Sequence, residues 1–262
     1  MAPLSENSYS PAEIAAILLD FYLFLTTIHY DAQHLKLPQQ KAGPTWNPYM
    51  VGQVIKRIPY FDNDCKAFLH YKSRLVDYPT LPQSCFKRVM WGRVSSSDQI
   101  YSERRQIIID MRDVFTLATG REVWGKYIWL NVRDGEITVE ERLIHDLPQV
   151  DLKVFFDGLK QDYIALKLIP CRRRITIEAN KIEERLGEEA ITEDEVIAQE
   201  GPWGTALDIH YIRQLYRGLG WPLAFRKYEA FDAVDRLMDK LAEHRNEWEP
   251  TEEDWNDDDH WC

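Results

Sequence analysis

Negative charge in this chain is concentrated in two short segments, and this distribution decides where a packed core can lie. Residues 247–262 contain eight Asp and Glu residues and no Lys or Arg, while residues 178–200 contain nine acidic residues against two basic ones. The two segments carry −8 and −7 of a net charge of −11, so the other residues together carry +4. Acid-rich segments with few aliphatic side chains bury too little surface to offset the entropy lost on ordering. We therefore expect a core built from the nearly neutral remainder.

The length and composition of the chain predict one folded domain or two intimately packed lobes. A chain of 262 residues, of which 45% are hydrophobic, can bury enough surface to fold without metals or disulfides. Helix and strand patterns alternate without a regular βαβ cadence, which indicates an α+β fold. We predict a single α+β domain over residues 1–246, with helices packed on a small, mainly antiparallel sheet and a long C-terminal amphipathic helix. We expect an acidic surface excursion at about 178–204 and a disordered acidic tail at 247–262.

Capping, turn and periodicity signals predict the individual elements. Ser10, Pro11 and Glu13 form a helix start that is followed by apolar residues at helical spacing. Asp134 and Gly135 supply a tight turn between two alternating strands, which predicts a hairpin over residues 125–141. The other expected elements are a helix from Asn47 to before Pro59, a strand at 107–111, a helix from Asp151, a strand at 164–170, and helices from Thr205 to Leu219 and from Pro222 to Leu241.

The acidic segment 177–204 has a weaker pattern. Its first half is interpreted as a solvated helix broken at Gly187, because charged residues dominate it on all sides. A short helix from Thr192 and a turn at 201–204 are expected to follow. We predict that the whole segment lies on the surface.

Cysteine usage and the apolar run near the N-terminus indicate the cellular compartment in which the protein is expected. Residues 15–28 are apolar but contain Asp20, and the run is too short to span about 30 Å of hydrocarbon. A core helix is expected here, rather than a signal peptide or a membrane span. Scattered cysteines without a CxxC pair argue against a zinc ribbon, a redox dithiol or a disulfide framework. We expect a cytoplasmic or nuclear protein that is not secreted and does not engage a membrane. The cysteines are Cys65, Cys85, Cys171 and Cys262.

No catalytic or metal-binding signature is present in the sequence, and we expect no cofactor. His29, Asp31 and His34 offer nitrogen and oxygen ligands, but the offset of the two histidines does not fit one helical face, and a helix-exit loop is the favoured interpretation. Residues 120–126 match GxxxxGK. Tyr127 stands where a phosphate-binding loop has Ser or Thr, and a strand pattern follows, so this match is interpreted as chance.

Arg172, Arg173 and Arg174 form the densest basic cluster of the chain. Proteins that bind nucleic acid usually combine a broad basic stripe with a high isoelectric point, whereas this chain has an isoelectric point of about 5.2. Nucleic acid is therefore disfavoured as a partner. The cluster either pairs with nearby acids at a strand end or binds the acidic tail, from the same chain or from another copy.

The tail combines aromatic and acidic side chains, which is typical of a peptide that binds a basic protein. Burying one tryptophan contributes at most about 4–6 kcal/mol, whereas ordering the backbone costs about 1–2 kcal/mol for each residue. The tail alone is therefore expected to stay disordered, and a basic groove would shift that balance. For the tail taken alone, a purely solubilising end is the favoured interpretation and a partner-binding peptide is the alternative. The candidate partner-binding residues are Trp248, Trp255, Trp261, Asp254, Asp257, Asp258 and Asp259.

Four segments of the chain resemble recurring segments of a large group of uncharacterised fungal proteins. They are LTTIHYDAQHLKLP, VIKRIPYF, GLKQDYIALKLIP and IRQLYRGLGWPLAFRKYEAFDAV. The likeness extends from about residue 10 to 245, and because no activity is assigned to the group it implies no site residue. The order of helix, hairpin and helix is also similar to the SUKH-type superfamily, which implies a noncatalytic binding scaffold.

Three classes of function remain open from the sequence. The favoured class is a noncatalytic interaction or scaffold protein that uses the acidic tail to hold a basic protein partner. The second is an enzyme, hydrolase-like, whose active site assembles only in three dimensions. The third is a structural subunit of an oligomer.

Overall fold

A computed structural model describes residues 9–37, 50–62, 68–70, 73–75, 99–101, 108–110, 113–120, 126–141, 149–171, 174–185 and 189–245. The chain divides into two compact units, the first comprising Met1–Thr26, Tyr30–Leu159 and His260–Cys262 and the second comprising Thr27–His29 and Lys160–Asp259. The described residues form helices and small antiparallel sheets, which confirms the α+β class. The predicted bounds of 1–246 and 247–262 stay predictions.

Helix α1, Pro11–Ile28, begins where the capping signal predicted. Ser10 N–H donates to Glu13 Oε2 at 2.7 Å, and Glu13 N–H donates to Ser10 Oγ at 3.3 Å, so the two residues cap the helix reciprocally. By length and composition alone the helix could cross a bilayer. Of this helix 33% is buried within the protein, and that share includes its apolar stripe. The stripe consists of Ile14, Leu18, Phe21, Leu25 and Ile28.

The first unit contains ten short strands among its described residues. Strand β1, Leu35–Lys36, pairs with β2, Tyr60–Phe61, and β5, Gln99–Tyr101, pairs with β6, Ile108–Asp110. The strand predicted at 107–111 is therefore confirmed. The other six are β3, Phe68–His70; β4, Ser73–Leu75; β7, Val114–Gly120; β8, Lys126–Asn131; β9, Glu136–Glu141; and β10, Val150–Asp151.

These six strands form one antiparallel sheet in the order β10-β9-β8-β7-β4-β3. Val114 to Ala118 are buried in five consecutive positions of β7. Because successive side chains point to opposite faces of a strand, both faces of the sheet are covered here.

The β8–β9 hairpin confirms the predicted strand pair, with a longer loop than the predicted two residues. Asn131 and Glu136 are paired, so residues 132–135 form a four-residue loop. The Asn131 side chain accepts the N–H groups of Arg133 and Asp134 at 3.0 and 3.4 Å, which stabilises the turn locally. Gly135 has a φ of +67°, a conformation that favours glycine.

Two further helices belong to this part of the chain. Helix α2, Met50–Ile55, falls within the predicted span that ended before Pro59. Helix α3, Leu152–Ile164, starts directly after Asp151, whose Oδ1 accepts Val154 N–H at 3.0 Å. The rings of Phe21 and Phe156 lie 4.9 Å apart, and both are buried.

The second unit contains one hairpin and three helices in the described residues. Strand β11, Leu168–Cys171, pairs with β12, Arg174–Glu178. Helices α4, Glu193–Ile197, and α5, Ala206–Gly218, start with capping boxes at Thr192 and Thr205. Helix α6, Lys227–Ala242, completes the unit.

The helix predicted after β12 is wrong, and two other elements start later than predicted: the strand expected at 164–170 begins at Leu168, and the last helix begins after Pro222. The segment after β12 forms turns at 180–182 instead of a solvated helix, because the buried Arg213 side chain binds its carbonyl oxygens. Helix α6 begins at Lys227 instead of Pro222, because residues 220–226 form a turn in which Ala224 N–H donates to Gly220 O and Arg226 N–H donates to Leu219 O, both at 2.9 Å.

Candidate functional site

Asp208 and Arg245 form a buried ion pair in the second unit. Asp208 lies in the first turn of α5 and Arg245 lies just beyond α6, and their side chains are 0% and 1% exposed. Arg245 Nη1 donates to Asp208 Oδ1 at 2.9 Å and Nη2 donates to Oδ2 at 3.0 Å, a bidentate geometry. We call Asp208, Arg245 and the carbonyl groups that Arg245 binds the C-terminal clasp.

Arg245 also binds the backbone between α4 and α5. Its Nε donates to Gly201 O, its Nη1 to Val196 O and its Nη2 to Pro202 O, each at 2.9 Å. The guanidinium group offers five N–H donors in a fixed fork, and five acceptors surround it. The clasp therefore fixes Arg245 against the α4–α5 segment.

Asp208 is held ionised by its surroundings. Gly204 N–H and Thr205 N–H donate to Oδ2 at 2.9 Å, and Gln199 Nε2 donates to Oδ1 at 2.7 Å. Burial opposes ionisation, but the pairing with Arg245 and these N–H groups outweighs it, so the pKa of Asp208 lies below its ordinary value.

Helix α6 leads to the clasp and carries a row of carboxylates on one side. Asp232, Asp235, Asp239 and Glu243 recur at helical spacing, so they share one face. Three of them are exposed and Asp235 is half-buried, and none makes an ion pair with another residue that the structure describes. We call these four residues the acidic row. The eight acids of the tail follow it in the sequence.

A histidine–carboxylate pair lies in the first unit. His34 Nδ1 and Asp62 Oδ1 are 2.8 Å apart, and Lys36 Nζ lies 3.2 Å from Asp62 Oδ2. Gln33 Nε2 lies 3.3 Å from His34 Nε2; since an amide nitrogen donates, the lone pair is on Nε2 and the proton on Nδ1. The pairing of β1 with β2 aligns these residues, and Asp62 N–H donates to His34 O at 3.0 Å.

The carboxylate of this pair is stabilised in its charged form. Burial opposes ionisation of Asp62, but the hydrogen bonds from Lys36 and His34 and the charge of Lys36 outweigh it and lower its pKa. Asp62 and His34 are each about a quarter exposed. The arrangement can accept a proton at His34 Nε2, as a general base does.

A second buried arginine ties distant backbone segments together. Arg213 Nε donates to Leu166 O and its Nη2 to Ala179 O, both at 3.1 Å, while its Nη1 donates to Ile182 O at 3.0 Å and to Glu183 O at 3.4 Å. Arg213 is 2% exposed. Burial lowers the pKa of its guanidinium. Its role is to hold the segment after β12 in place.

Three acidic side chains lie near one another at the β8–β9 loop, and one of them, Asp151, binds Tyr9. Tyr9 Oη donates to Asp151 Oδ2 at 2.8 Å, and Glu136, which pairs with Asp151 in the sheet, is 8% exposed. Burial, and then the charges of Asp134 and Asp151, raise the pKa of Glu136. Burial and the bond to Asp151 raise the pKa of Tyr9 to about 12.

The site residues predicted from the sequence cannot be compared with these groups directly. Arg172, Arg173 and the seven tail residues Trp248, Trp255, Trp261, Asp254, Asp257, Asp258 and Asp259 lie outside the described residues. Arg174 begins β12 and pairs with Cys171. These assignments stay predictions.

The two histidines of the 29–34 motif and the ends of the GxxxxGK match lie within the described residues. His29 belongs to the second unit, where its ring lies edge-on to Phe231 at 5.4 Å, whereas His34 belongs to the first unit and binds Asp62. Within the described ranges no group of three or more His, Cys, Asp or Glu side chains could hold a metal ion. Gly120 ends β7 and Lys126 begins the antiparallel β8, so the strand expected after the GxxxxGK match is present.

Comparisons of this chain with models of protein families, with curated proteins and with solved structures find no match. The resemblances drawn from the sequence stay predictions.

Proposed function

We propose that this chain is a noncatalytic protein-interaction protein that holds a basic protein partner with its acidic C-terminal tail. The observation that carries the proposal is the clasp: Arg245 is buried and fully hydrogen-bonded, and the acidic, tryptophan-bearing segment begins two residues later. The partner-binding peptide therefore starts from a fixed point.

The acidic row supports the same interpretation. Unpaired carboxylates on one face of a helix do not stabilise that helix, and like charges repel one another. They do create a negative potential that steers a basic surface toward the helix and raises its rate of association. The four acids of the row stand among Arg236, Lys240 and Arg245, so residues 232–246 carry a net charge of −1, and residues 247–262 add −8.

The tryptophans of the tail supply binding affinity, which charge alone does not. Charged contacts at the rim of an interface change the association rate more than the affinity, whereas buried tryptophans are frequent energetic centres of interfaces. A basic groove with apolar pockets fits both properties of the tail. Ordering the tail on binding costs free energy, so we expect a partner that is released readily.

Deletion of residues 247–262 tests this proposal. We expect the shortened chain to lose its bound partner when it is purified from its native cell, and to keep the melting temperature of the full chain because Arg245 remains. Bound proteins are identified by mass spectrometry, and the partner is then purified and titrated against both chains. Unchanged binding by the shortened chain would exclude the tail as the binding element.

Two matched variants separate charge from aromatic contact. Replacing Trp248, Trp255 and Trp261 with alanine keeps the charge, and replacing the eight acids with their amides keeps the aromatic rings. We expect both to weaken binding, and only the first to retain the salt dependence of the full chain. Amide replacement of the acidic row should reduce mainly the association rate.

A second candidate function, hydrolysis, is favoured by the His34–Asp62 pair. His34 Nε2 would take a proton from water as its oxygen attacks an ester carbonyl, and would return that proton to the departing alcohol. Asp62 would hold the ring in position and stabilise the imidazolium. This is the enzyme class left open by the sequence.

Replacement of His34 tests the second candidate with p-nitrophenyl acetate as the probe. If His34 is the base, His34→Ala and Asp62→Asn each lower kcat/KM by about 100-fold or more, and His244→Ala, on an exposed histidine, leaves it unchanged. Equal hydrolysis rates for the wild type and His34→Ala would exclude this site.

A further inference from the structure

Thr192, in the second unit, is an exposed threonine that is followed directly by three acidic residues. Glu193, Asp194 and Glu195 stand at the next three positions. Thr251 is the one other serine or threonine in the sequence with three acids directly after it. Thr192 lies within the described residues, so the surroundings of its hydroxyl group are defined.

The backbone around Thr192 is close to the form that an enzyme requires of a bound peptide. Thr192 is extended, with φ of −91° and ψ of 154°. Residues 189–191, which precede it, belong to no helix or strand. Helix α4, which follows, is five residues long, and so short a helix has little stability of its own. The segment can therefore unwind locally to enter an active site.

The hydroxyl group of Thr192 is bound only within the capping box of α4. Its Oγ1 donates to Glu195 Oε2 at 2.8 Å and accepts Glu195 N–H at 3.3 Å, and Thr192 N–H donates to Glu195 Oε2 at 2.7 Å. All three bonds are exposed to solvent. Water replaces such bonds when they break, so the net loss is small. The hydroxyl group therefore becomes accessible whenever the first turn of α4 opens.

Two of the three acids are also accessible. Asp194 and Glu195 are exposed, and neither forms an ion pair with another described residue. Glu193 is half-buried and binds Lys240. Protein kinases select substrates partly by the charges beside the acceptor residue, and a basic cleft concentrates a negatively charged segment. Thr192 therefore fits the active site of a kinase that selects acidic substrates.

Thr205 has a similar sequence pattern but a different structural environment. It also caps a helix, and Asp208 stands three positions after it. Thr205 Oγ1 donates to Gln199 Oε1 at 2.7 Å, and Asp208 is 0% exposed and bound by Arg245. An acid that is buried in the clasp cannot bind an enzyme. We therefore expect Thr205 to remain unmodified.

We propose that Thr192 is a phosphorylation site for a protein kinase that selects acidic substrates, and that its phosphorylation opens the capping box of α4. The kinase supplies ATP as the phosphoryl donor. Thr192 Oγ1 forms a bond to the γ-phosphorus of ATP while the bond from that phosphorus to the ADP oxygen breaks, and the hydroxyl proton passes to a carboxylate of the kinase. The products are phosphothreonine and ADP.

The effect on the capping box follows from charge. Phosphorylation removes the hydrogen that Thr192 Oγ1 donates to Glu195 Oε2 and adds a charge of about −1.5 to −2 at pH 7. A phosphate at a helix start can accept N–H groups, but a phosphate beside carboxylates is repelled by them. Asp194 and Glu195 stand within three positions, and the cation that acts on Glu195 is the exposed Arg185. Repulsion therefore exceeds attraction, and the first turn of α4 opens.

Incubation of the full chain with casein kinase II and ATP tests the site, with mass spectrometry of peptides to locate each phosphate. We expect phosphate at Thr192 and Thr251 and none at Thr205. Changing all three acids after Thr192 to amides should lower the rate at Thr192 about tenfold or more and leave the rate at Thr251 unchanged. Glutamine at position 195 still supports a capping box, so this variant keeps the start of α4.

Hydrogen exchange tests the opening of the capping box. Thr251→Val removes the second acceptor, so this variant carries phosphate at Thr192 and not at position 251. We expect the exchange rate of Glu195 N–H to rise about fivefold or more, as for the loss of a helix cap. The rate of Ile212 N–H, in the middle of α5, should stay the same.

Three outcomes would overturn the proposal. Absence of phosphate at Thr192 excludes the site, and phosphate at Thr251 in the same sample shows that the kinase was active. An equal rate at Thr192 in the amide variant excludes recognition through the acids. Unchanged exchange of Glu195 N–H in the phosphorylated chain excludes the opening of the capping box.

Discussion

Replacing Arg245 with methionine lowers the free energy of unfolding by about 3–5 kcal/mol, the usual effect of breaking a buried ion pair from one side. The change leaves the Asp208 carboxylate buried without its counter-ion. It also removes the N–H groups that donate to the carbonyl oxygens of Val196, Gly201 and Pro202. Urea unfolding followed by circular dichroism measures the loss, and a slope equal to that of the wild type shows that stability alone has changed.

Arg236→Met is the matched control for this prediction. Arg236 lies on α6 and is exposed, so its loss should change the free energy of unfolding by no more than about 0.5 kcal/mol. The double variant Asp208→Asn with Arg245→Met should cost less than the sum of the single variants by about 0.5–3 kcal/mol, because the two groups interact directly. Strict additivity would show that the ion pair does not hold the clasp.

The clasp also predicts how stability depends on pH. The pKa of Asp208 is lowered from its ordinary value of 3.8, so the folded state binds this proton less tightly than the unfolded state does. The stability from Asp208 is present above pH 3.8 and is lost as the pH falls through the folded pKa. Asp208→Asn should flatten this acid limb.

Replacing Arg213 with methionine should cost about 2–4 kcal/mol, because it strips buried carbonyl groups of their donors. The backbone segment that Arg213 holds should open first. Ile182 N–H, which donates to Ala179 O, should lose its hydrogen-exchange protection, while amides in the middle of α1 keep theirs. Lysine at this position should fail to rescue, because it lacks the planar fork that reaches several acceptors.

Arg217→Met provides the comparison on the same helix. Arg217 is 50% exposed and binds both oxygens of Glu184 at 3.0 Å, and an exposed pair of this kind contributes about 0–1 kcal/mol. A loss in Arg213→Met no larger than in Arg217→Met would mean that the buried carbonyl contacts are not important for stability.

Local signals predicted the elements of this fold where the stabilising contacts are local. Ser10 and Glu13 lie three residues apart and start α1 as expected, and Asn131, Asp134 and Gly135 shape the predicted hairpin loop. Thr205 and Gly220 likewise mark the start and the end of α5. In each case the residues that decide the conformation lie within a few positions of one another, so a short window of sequence contains them.

The candidate sites were not predictable in this way. The bond between Tyr9 and Asp151 joins residues 142 positions apart, and the clasp joins residues 37 positions apart. Asp208 lies in the first turn of a helix and Arg245 precedes an acidic segment, and neither position carries a local signal that pairs it with the other. The helix predicted after β12 is absent for the same reason, because the Arg213 side chain that binds that segment lies on α5.

The turn at Gly220 offers a way to recognise homologues of this chain. Its φ is +88°, and a Cβ there would lie 2.4 Å from Ala224 O, so only glycine fits. The neighbouring Trp221 donates its indole N–H to Ile164 O at 3.0 Å. Homologues that have lost overall sequence similarity should therefore keep a glycine–tryptophan pair. The pair should lie between an aspartate at the start of one helix and an arginine beyond the end of the next. That spacing is a search pattern based on steric and hydrogen-bonding requirements, and it can recognise kinship where overall sequence comparison does not.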